Sequence, residues 1–346
     1  PNMTAYNETC AAISMVYLFE RMFLLHGESK YIDCLERTLY NGVISGMSMD
    51  GGRFFYPNPL SSDGKYKFNS DGNTTRQPWF GCACCPSNLC RFIPSVPGYL
   101  FGVKDNNIYV NLFAGNTSTI KVGGKNVVLE ETTEYPWDGD IKITVKKSAA
   151  KNANLLVRIP GWVRNQVVPS DLYAYRDAEK PTYSVTVNGK AVEADLVANK
   201  GYLTVKNIKK GDVVRIHFDM PVRTVVANGK VADDRGKVAV ERGPLVYCAE
   251  AADNAGEPVL RAVMGSKKPA FTLVDNYTIQ NTETKGAPAF SVKAIQTPAQ
   301  VLDQAADGKV SVKNMNLTLI PYYAWNHRGA NQMNVWFYQN LAVLDK

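Results

Sequence analysis

The chain has 346 residues, of which 45% are hydrophobic and 21% charged, so it has enough apolar side chains to form packed domains and is not a disordered protein. Its 39 Lys and Arg residues and 32 Asp and Glu residues give a net charge of only +7, and basic and acidic residues are interleaved along the chain. This distribution argues against a nucleic acid or an anionic membrane surface as partner. We also expect no membrane-spanning helix, because no segment of the sequence reads as an apolar run of about 18 residues.

The first hundred residues are predicted to contain helices. Apolar residues recur every three or four positions in residues 8–26, which predicts an amphipathic helix that ends at Gly27. The same spacing over residues 29–44, with Ser29 as candidate N-cap, predicts a second helix that packs on the first as an αα-hairpin. A cysteine-rich loop follows, and a short helix is predicted to start near Ser87.

From about residue 100 the hydrophobic period changes from helical to two, which is typical of strands. The predicted strands are short, rich in β-branched residues and separated by Gly, Asn and Asp turns, with a hairpin at Asn188-Gly189. This pattern predicts two antiparallel β-sandwich domains, over residues 100–219 and 220–333. The last segment, 334–346, is expected to join the first sandwich.

The N-terminal αα-hairpin has few apolar partners of its own within the predicted architecture. It can be interpreted as a small helical cap on a sheet. We favour a second interpretation, in which the chain begins inside a larger helical domain, because the sequence enters the first helix almost at Pro1.

Cysteine placement is the most informative feature of the sequence. Six of the seven cysteines lie in the first 90 residues, namely Cys10, Cys34, Cys82, Cys84, Cys85 and Cys90. Disulfides are one interpretation, but adjacent cysteines cannot easily bond each other, and an odd total leaves one thiol free. Buried structural thiols are a second interpretation, which explains Cys34 and Cys248 better than it explains the cluster at residues 82–90.

A metal site is the third interpretation. Thiolates combined with one carboxylate favour zinc, although the usual pairs of cysteines separated by two residues are missing. Glu8 and Cys10 have a spacing that suits the start of a helix, whereas Cys84 and Cys85 reach one ion only if the loop before Pro86 kinks. Spacing alone leaves the three interpretations open.

Five segments together resemble glycoside hydrolase family 127 and its relative, family 146, which are retaining β-L-arabinofuranosidases. The segments are NETCA, PWFGCACCPSN, RIPGW, ERGPLVYCAE and PYYAWNHRGANQMNVWF. The resemblance extends over nearly the whole chain. It implies a mixed but mainly β fold, in which residues 1–99 are the C-terminal remnant of an (α/α)6 catalytic barrel and two antiparallel β-sandwich domains follow.

The resemblance also assigns the site residues. It implies a zinc ion held by Glu8, Cys10, Cys84 and Cys85, with Cys84 also acting as the nucleophile. Tyr56 is expected to contact the sugar and to assist the nucleophile. The remaining cysteines are then structural thiols.

The chain departs from the family pattern in one respect. The family's acid/base glutamate and its sugar-binding histidines lie upstream of the ETC motif, and none of the seven residues before Glu8 is acidic. We therefore expect a missing N-terminal barrel half as partner and little activity from this chain alone. The expected substrate is an arabinofuranose-containing oligosaccharide from plant glycans or hydroxyproline-linked sugars.

A non-catalytic alternative is a zinc-stabilised β-sandwich protein that binds carbohydrate or docks to a partner. A homodimer is a further candidate assembly. Zinc-bound thiolates are compatible with the bacterial periplasm and the cytoplasm alike, so the sequence assigns no compartment.

Overall fold

The computed structural model describes residues 1–177, 179–193, 196, 200–275, 277–279, 292–304 and 308–340. Three α-helices are described, α1 (Thr9–His26), α2 (Ser29–Thr38) and α3 (Cys84–Phe92). Helix α2 continues through a π-helical turn, Leu39–Val43, and a 3-10 turn, Ile44–Gly46. Helix α3 continues as a 3-10 helix over Ile93–Tyr99. The (α/α)6 barrel to which these helices are expected to belong stays a prediction.

The strands fill most of the chain after α3. In order they are β1 (Ser61–Asp63), β2 (Phe101–Lys104), β3 (Asn107–Val110), β4 (Asn116–Val122), β5 (Lys125–Thr133), β6 (Asp140–Ser148), β7 (Asn154–Arg158), β8 (Tyr173–Tyr175), β9 (Tyr183–Val187), β10 (Lys190–Ala191), β11 (Tyr202–Val205), β12 (Val213–Phe218), β13 (Val222–Ala227), β14 (Lys237–Arg242), β15 (Leu245–Glu250), β16 (Ala262–Val263), β17 (Thr272–Val274), β18 (Ala294–Gln304), β19 (Val310–Pro321), β20 (Gln332–Asn334) and β21 (Phe337–Tyr338). The chain is thus mainly β, as predicted.

Helix α1 ends where the sequence predicts. Gly27 has a left-handed φ of 63°, and its N–H donates to the Phe23 carbonyl, which closes the last turn. The predicted N-cap of α2 is wrong by one residue, because Glu28 is the cap and Ser29 is already helical. The Ser29 hydroxyl instead accepts a hydrogen bond from Arg164 at 2.9 Å.

Helix α1 is also long and apolar enough to cross a membrane, with a mean hydropathy of 1.2 over 18 residues. The expectation that no segment approaches such a run is therefore wrong for this helix. Ile13, Val16 and Phe23 are buried in the helical core, while Leu18 and Leu25 are exposed. Length and composition are weak evidence for a membrane span, because a helix in the core of a globular protein meets the same criteria.

Two sheets pack face to face after the helices. Strands β10-β9-β12-β6-β5-β4 form the larger sheet and β11-β7-β3-β2 the smaller. Their shared core is apolar on both sides, with Leu129 and Ile143 from the larger sheet and Leu155 from the smaller. Burying each of these side chains contributes about 1.5–3 kcal/mol to the free energy of unfolding. The predicted hairpin is confirmed, with positive φ at Asn188 and Gly189 between β9 and β10.

The C-terminal strands are arranged differently from the predicted pair of sheets. They form one continuous sheet, in which the path β14-β15-β19-β18-β16-β21 closes because β21 and β15 both pair with β14. Strand β8 joins this sheet through β13 although it precedes the predicted boundary at residue 219. Strand β1, from the helical part, joins it through β20.

The tail segment 334–346 was predicted to join the first sandwich, and this is wrong for its described part. Phe337 pairs with Val238 and Asn334 with Ala249, so both lie in the C-terminal sheet. The sequence pattern of this short apolar tail fits the edge of either sheet, so tertiary packing decides which sheet it joins. Residues 341–346 lie outside the described part of the chain.

Helix α2 ties the helical part to both sheet regions through buried ion pairs. Arg158 on β7 is fully buried and contacts the carboxylates of Asp33 and Glu36. Arg37, on the same helix, pairs with Glu241 on β14 at 2.6 Å. These contacts fix the orientation of the helices, and therefore of the site they carry, relative to the sheets.

Candidate metal and nucleophile site

Four potential ligands from two distant parts of the sequence come together in the helical part. The ligand atoms of Glu8, Cys10, Cys84 and Cys85 all lie within 4.8 Å of one another. Within this group the Cys84 and Cys85 sulfurs are 4.0 Å apart. Glu8 Oε1 is 3.7 Å from the Cys85 sulfur and 4.0 Å from the Cys84 sulfur. This cluster could hold a metal ion.

The first turns of two helices present these ligands. Glu8 is the N-cap of α1 and Cys10 is the second residue of that helix, while Cys84 and Cys85 open α3. The predicted helix start near Ser87 is therefore three residues too late. Helix N-termini carry unpaired N–H groups and the positive end of the helix dipole, so both helices stabilise negative charge on the cluster.

Tyr56 lies beside the cluster, next to Cys84, and its expected contact with a sugar stays a prediction. Its hydroxyl oxygen is 3.1 Å from the Cys84 sulfur, and the Cys84 N–H donates to it at 3.0 Å. The Tyr56 hydroxyl is also within hydrogen-bond reach of the Cys82 carbonyl, so its one proton can be donated either to that carbonyl or to the Cys84 sulfur. The tyrosine ring packs edge-on against Phe80, with centroids 4.9 Å apart. Tyr56 is therefore placed by both its hydroxyl and its ring.

The backbone of Tyr56 is fixed to the start of α1. Its carbonyl accepts from the Thr9 N–H at 2.9 Å, and its N–H donates to Asn69 Oδ1 at 2.9 Å. Thr9 is fully buried and packs so tightly that a Cβ on Gly46 would lie 2.5 Å from its Oγ1. The tyrosine is thus held in register with Glu8, the residue before Thr9.

The three clustered thiols differ in exposure and acidity. Cys85 is buried, and burial raises its pKa well above the ordinary value. Burial also raises the pKa of the half-buried Cys10, although a hydrogen bond from the Asn88 side chain opposes the effect. Cys84 is exposed, and its hydrogen bond with Tyr56 lowers its pKa. Cys84 is therefore the thiol best suited to act as a nucleophile.

A cavity of about 470 Å³ opens in front of the cluster, lined by Cys10, Cys84, Ser87, Asn88 and Arg91. The last three residues were not among the predicted site residues. A signal for Asn88 and Arg91 exists in the sequence, because they lie four and seven positions after Cys84, a spacing that places them on the same face of a helix starting at that cysteine. Placing the helix start at Ser87 hid this signal.

All seven cysteines lie in the described part of the chain, and each is a free thiol there. Cys248 is buried, which fits its prediction as a structural thiol. Burial raises the pKa of Cys34 to about 11, so it is also an unreactive thiol at neutral pH. Cys82 and Cys90 are exposed. The prediction that they are buried structural thiols is therefore wrong.

The chain matches three family models in sequence. They are described as the β-L-arabinofuranosidase GH127 catalytic domain, over residues 1–98, the GH127 middle domain, over 107–220, and the glycoside hydrolase family 127 C-terminal domain, over 222–338. The chain belongs to glycoside hydrolase family 127. A curated relative, the non-reducing end β-L-arabinofuranosidase of Bifidobacterium longum subsp. longum, is 33% identical over 97% of this chain and 49% of its own length.

Solved structures resemble this family 127 chain closely. A GH127 β-arabinofuranosidase is 51% identical, with a TM-score of 0.89 over 99% of this chain and 51% of its own. A GH127 β-L-arabinofuranosidase from Geobacillus stearothermophilus T6 is 34% identical, with a TM-score of 0.82 over 98% of this chain and 51% of its own. The chain thus spans about half the length of the relatives that it matches.

Proposed function

We propose that the cluster of Glu8, Cys10, Cys84 and Cys85 binds Zn²⁺. A tetrahedral site with zinc–sulfur bonds of about 2.3 Å needs sulfurs about 3.8 Å apart. The 4.0 Å between the Cys84 and Cys85 sulfurs supports this, as does the 3.7 Å from Glu8 Oε1 to the Cys85 sulfur. Three thiolates also select a soft or borderline metal over Mg²⁺ or Ca²⁺. When bound, Zn²⁺ supplies the positive charge that keeps the thiols ionised at neutral pH.

The chain is proposed to supply the nucleophile of a retaining β-L-arabinofuranosidase. The observation that carries this proposal is the position of Cys84, which is exposed in the cavity at a helix N-terminus and 3.1 Å from the Tyr56 hydroxyl. The names of the relatives supply the reaction, because the curated relative and the Geobacillus structure are described as β-L-arabinofuranosidases.

The reaction proceeds in two displacements. In the first, the Cys84 sulfur attacks the anomeric carbon, a carbon–sulfur bond forms, and the bond to the leaving-group oxygen breaks as that oxygen takes a proton from a general acid. In the second, water attacks the same carbon, gives its proton to the same acid/base group, and the Cys84 sulfur departs with its electron pair. Tyr56 holds the sulfur in line during both displacements, through the contact at 3.1 Å.

The acid/base group is proposed to come from outside these residues. A retaining glycosidase needs a second carboxyl about 5–5.5 Å from its nucleophile, on the opposite side of the sugar. Among the residues that the structure describes, the side chains that line the cavity include no carboxylate. We therefore infer that an N-terminal barrel half supplies it, and that this chain alone turns over an arabinofuranose-containing oligosaccharide slowly or not at all.

Covalent labelling tests the nucleophile without requiring turnover. The chain, loaded with zinc, is incubated with a haloacetamide arabinofuranose probe and mapped by peptide mass spectrometry. The expected result is labelling of Cys84 that Cys84→Ala removes. Cys82→Ala is the matched control, since Cys82 is an exposed cysteine two residues away, and this variant should label like the wild type. Labelling of Cys82 or Cys90 in preference to Cys84 would refute the assignment.

Turnover is the separate measurement. Release of a chromophore from an aryl β-L-arabinofuranoside should be near background for this chain. A rate typical of an intact glycosidase would show that the chain carries its own acid/base group. If zinc binds but neither labelling nor turnover is seen, a non-catalytic zinc-stabilised carbohydrate-binding protein becomes the better description.

A further inference from the structure

Phe55 and Tyr56 are neighbours in the chain, and their side chains enter two different apolar cores. Tyr56 lies in the core of the helical part, where its hydroxyl oxygen is 3.1 Å from the Cys84 sulfur. Phe55 is 0% exposed and lies in the core of the C-terminal sheet, where its ring centroid is 5.2 Å from that of Trp325. The residue beside the proposed nucleophile is therefore attached, one position earlier, to the C-terminal part of the chain.

Arg76 adds a polar attachment at the same place. It is 3% exposed, and its guanidinium carbon lies 4.1 Å from the centroid of the Phe55 ring. Its Nη2 donates to the Ser45 carbonyl at 2.9 Å and to the Tyr323 carbonyl at 3.3 Å, and its Nη1 donates to the Trp325 carbonyl. One buried guanidinium thus joins the 3-10 turn after helix α2 to the C-terminal part of the chain, and it also packs on the Phe55 ring.

Residues 323–327 of the C-terminal part make further hydrogen bonds to the chain around Tyr56. The Asn326 side chain accepts from the backbone N–H of the same arginine at 3.4 Å and donates to the Thr74 carbonyl at 3.1 Å. His327 Nε2 accepts from the Met49 N–H at 3.0 Å. The C-terminal part therefore holds the chain both before and after the tyrosine that lies beside the proposed nucleophile.

We propose that Arg76 is a positioning residue, which holds the Tyr56 hydroxyl beside the Cys84 sulfur by fixing Phe55 against the C-terminal core. A guanidinium suits this role because it is planar and rigid, donates to several carbonyls at once and packs on an aromatic face. Arg76 acts through Tyr56 and does not contact the reacting atoms in this role. The inference rests on the proposed function of Cys84, and it makes the C-terminal part of the chain a determinant of reactivity in the helical part.

A double-mutant cycle on the rate at which the haloacetamide arabinofuranose probe labels Cys84 tests this role in the zinc-loaded chain. Arg76→Gln should slow labelling by about 3- to 10-fold, because a hydroxyl displaced by part of an ångström loses part of its hydrogen bond to the sulfur. In the Tyr56→Phe background the same substitution should change the rate by less than about twofold, because the hydroxyl through which Arg76 acts is already gone. A purely structural role would slow labelling equally in both backgrounds.

Two variants and an internal reference make the result specific. Arg76→Lys keeps a charged donor that reaches fewer of the carbonyls, so its rate should lie between those of Arg76→Gln and the wild type. Arg223→Gln is the matched control, because Arg223 is 4% exposed and its guanidinium carbon lies 3.5 Å from the Tyr175 ring, within the C-terminal sheet. It should leave labelling of Cys84 within about twofold of the wild type. Labelling of the exposed Cys90 in the same molecule is the reference for each rate.

The outcomes separate this inference from the proposed function. Equal slowing by Arg76→Gln in both backgrounds, or no slowing in the wild-type background, would overturn the positioning role and leave Cys84 as the labelled thiol. A wild-type chain in which Cys84 is not labelled would overturn the proposed nucleophile, and this inference with it. If Arg76→Gln fails to fold, Phe55→Leu takes its place in the cycle with the same expected result, since it removes the ring on which the guanidinium packs but keeps an apolar side chain.

Discussion

Glu131 is a buried carboxyl whose removal should change how stability depends on pH. It is 3% exposed, and its oxygens accept from the Ala114 N–H at 3.2 Å and from Asn116 Nδ2 at 3.3 Å. Both partners are uncharged. Burial raises the pKa of Glu131 to about 8, from an ordinary 4.5. The folded protein therefore holds a proton on this residue over a pH range in which the unfolded chain has lost it.

The sign and size of the effect follow by linkage. The folded pKa lies above the unfolded one, so the contribution to stability is fully present below about pH 4.5 and is lost as pH rises toward 8. A difference of about 3.5 pKa units, at about 1.4 kcal/mol per unit, corresponds to about 5 kcal/mol over this window. Glu131→Gln keeps the shape without the ionisation, so the variant should gain several kcal/mol relative to the wild type between pH 5 and 8.

The assay is urea unfolding at pH 5, 6, 7 and 8, followed by tryptophan fluorescence. Glu130→Gln is the matched control, because Glu130 precedes Glu131 on β5 but is 41% exposed and pairs with Lys146. That control should follow the wild type at every pH. If the free energies of unfolding of wild type and Glu131→Gln run parallel from pH 5 to 8, the argument that burial dominates the protonation of Glu131 is refuted.

Three further outcomes are expected. Tyr56→Phe removes the hydroxyl beside the Cys84 sulfur and should slow labelling of that thiol at neutral pH by about 10-fold or more. The pKa of the thiol, measured from the pH dependence of the labelling rate, should rise. An unchanged pH dependence would contradict the role of the hydroxyl. Gly46→Ala places a Cβ against Thr9 and should destabilise the chain by about 1–3 kcal/mol in urea unfolding, whereas a neutral result would mean that the packing relaxes. Glu36→Gln leaves the buried Arg158 without a full counter-charge and should lower the free energy of unfolding by about 3–5 kcal/mol. A loss below about 1 kcal/mol would show that the Glu36–Arg158 ion pair is not important for holding the helices against the sheets.

The elements of the fold were largely predictable because they depend on local pattern. The spacing of apolar residues at every third or fourth position predicted helix α1. Its end was predicted at Gly27, because a residue that tolerates positive φ closes the last turn easily. The pair Asn188-Gly189 predicted a hairpin, because both residues tolerate the positive φ that the turn requires. The start of α3 was predicted three residues too late, because cysteines at the first turn carry no strong helix signal and Pro86 suggests a break, although proline fits the first turn of a helix.

The arrangement of the C-terminal strands could not be read from the sequence. Alternation identifies which residues face a core, but it does not say whether strands close on one another or face each other as two sheets. Strands β8 and β21 illustrate this, because each has a pattern that would fit either neighbouring sheet. Hydrogen bonding to β13 and β14 assigns both to the closed C-terminal sheet.

The sequence by itself determined the residue types of the candidate site, a carboxylate and thiolates that could hold a metal ion, and the motif resemblance named the family. Tertiary structure alone decided their geometry. It joins Glu8 and Cys10 to Cys84 and Cys85 across two helix N-termini, places the Tyr56 hydroxyl on one sulfur, and leaves that sulfur exposed while burying its neighbour. Acidity and reactivity depend on burial and on partners distant in sequence, and these exist only once the chain has folded.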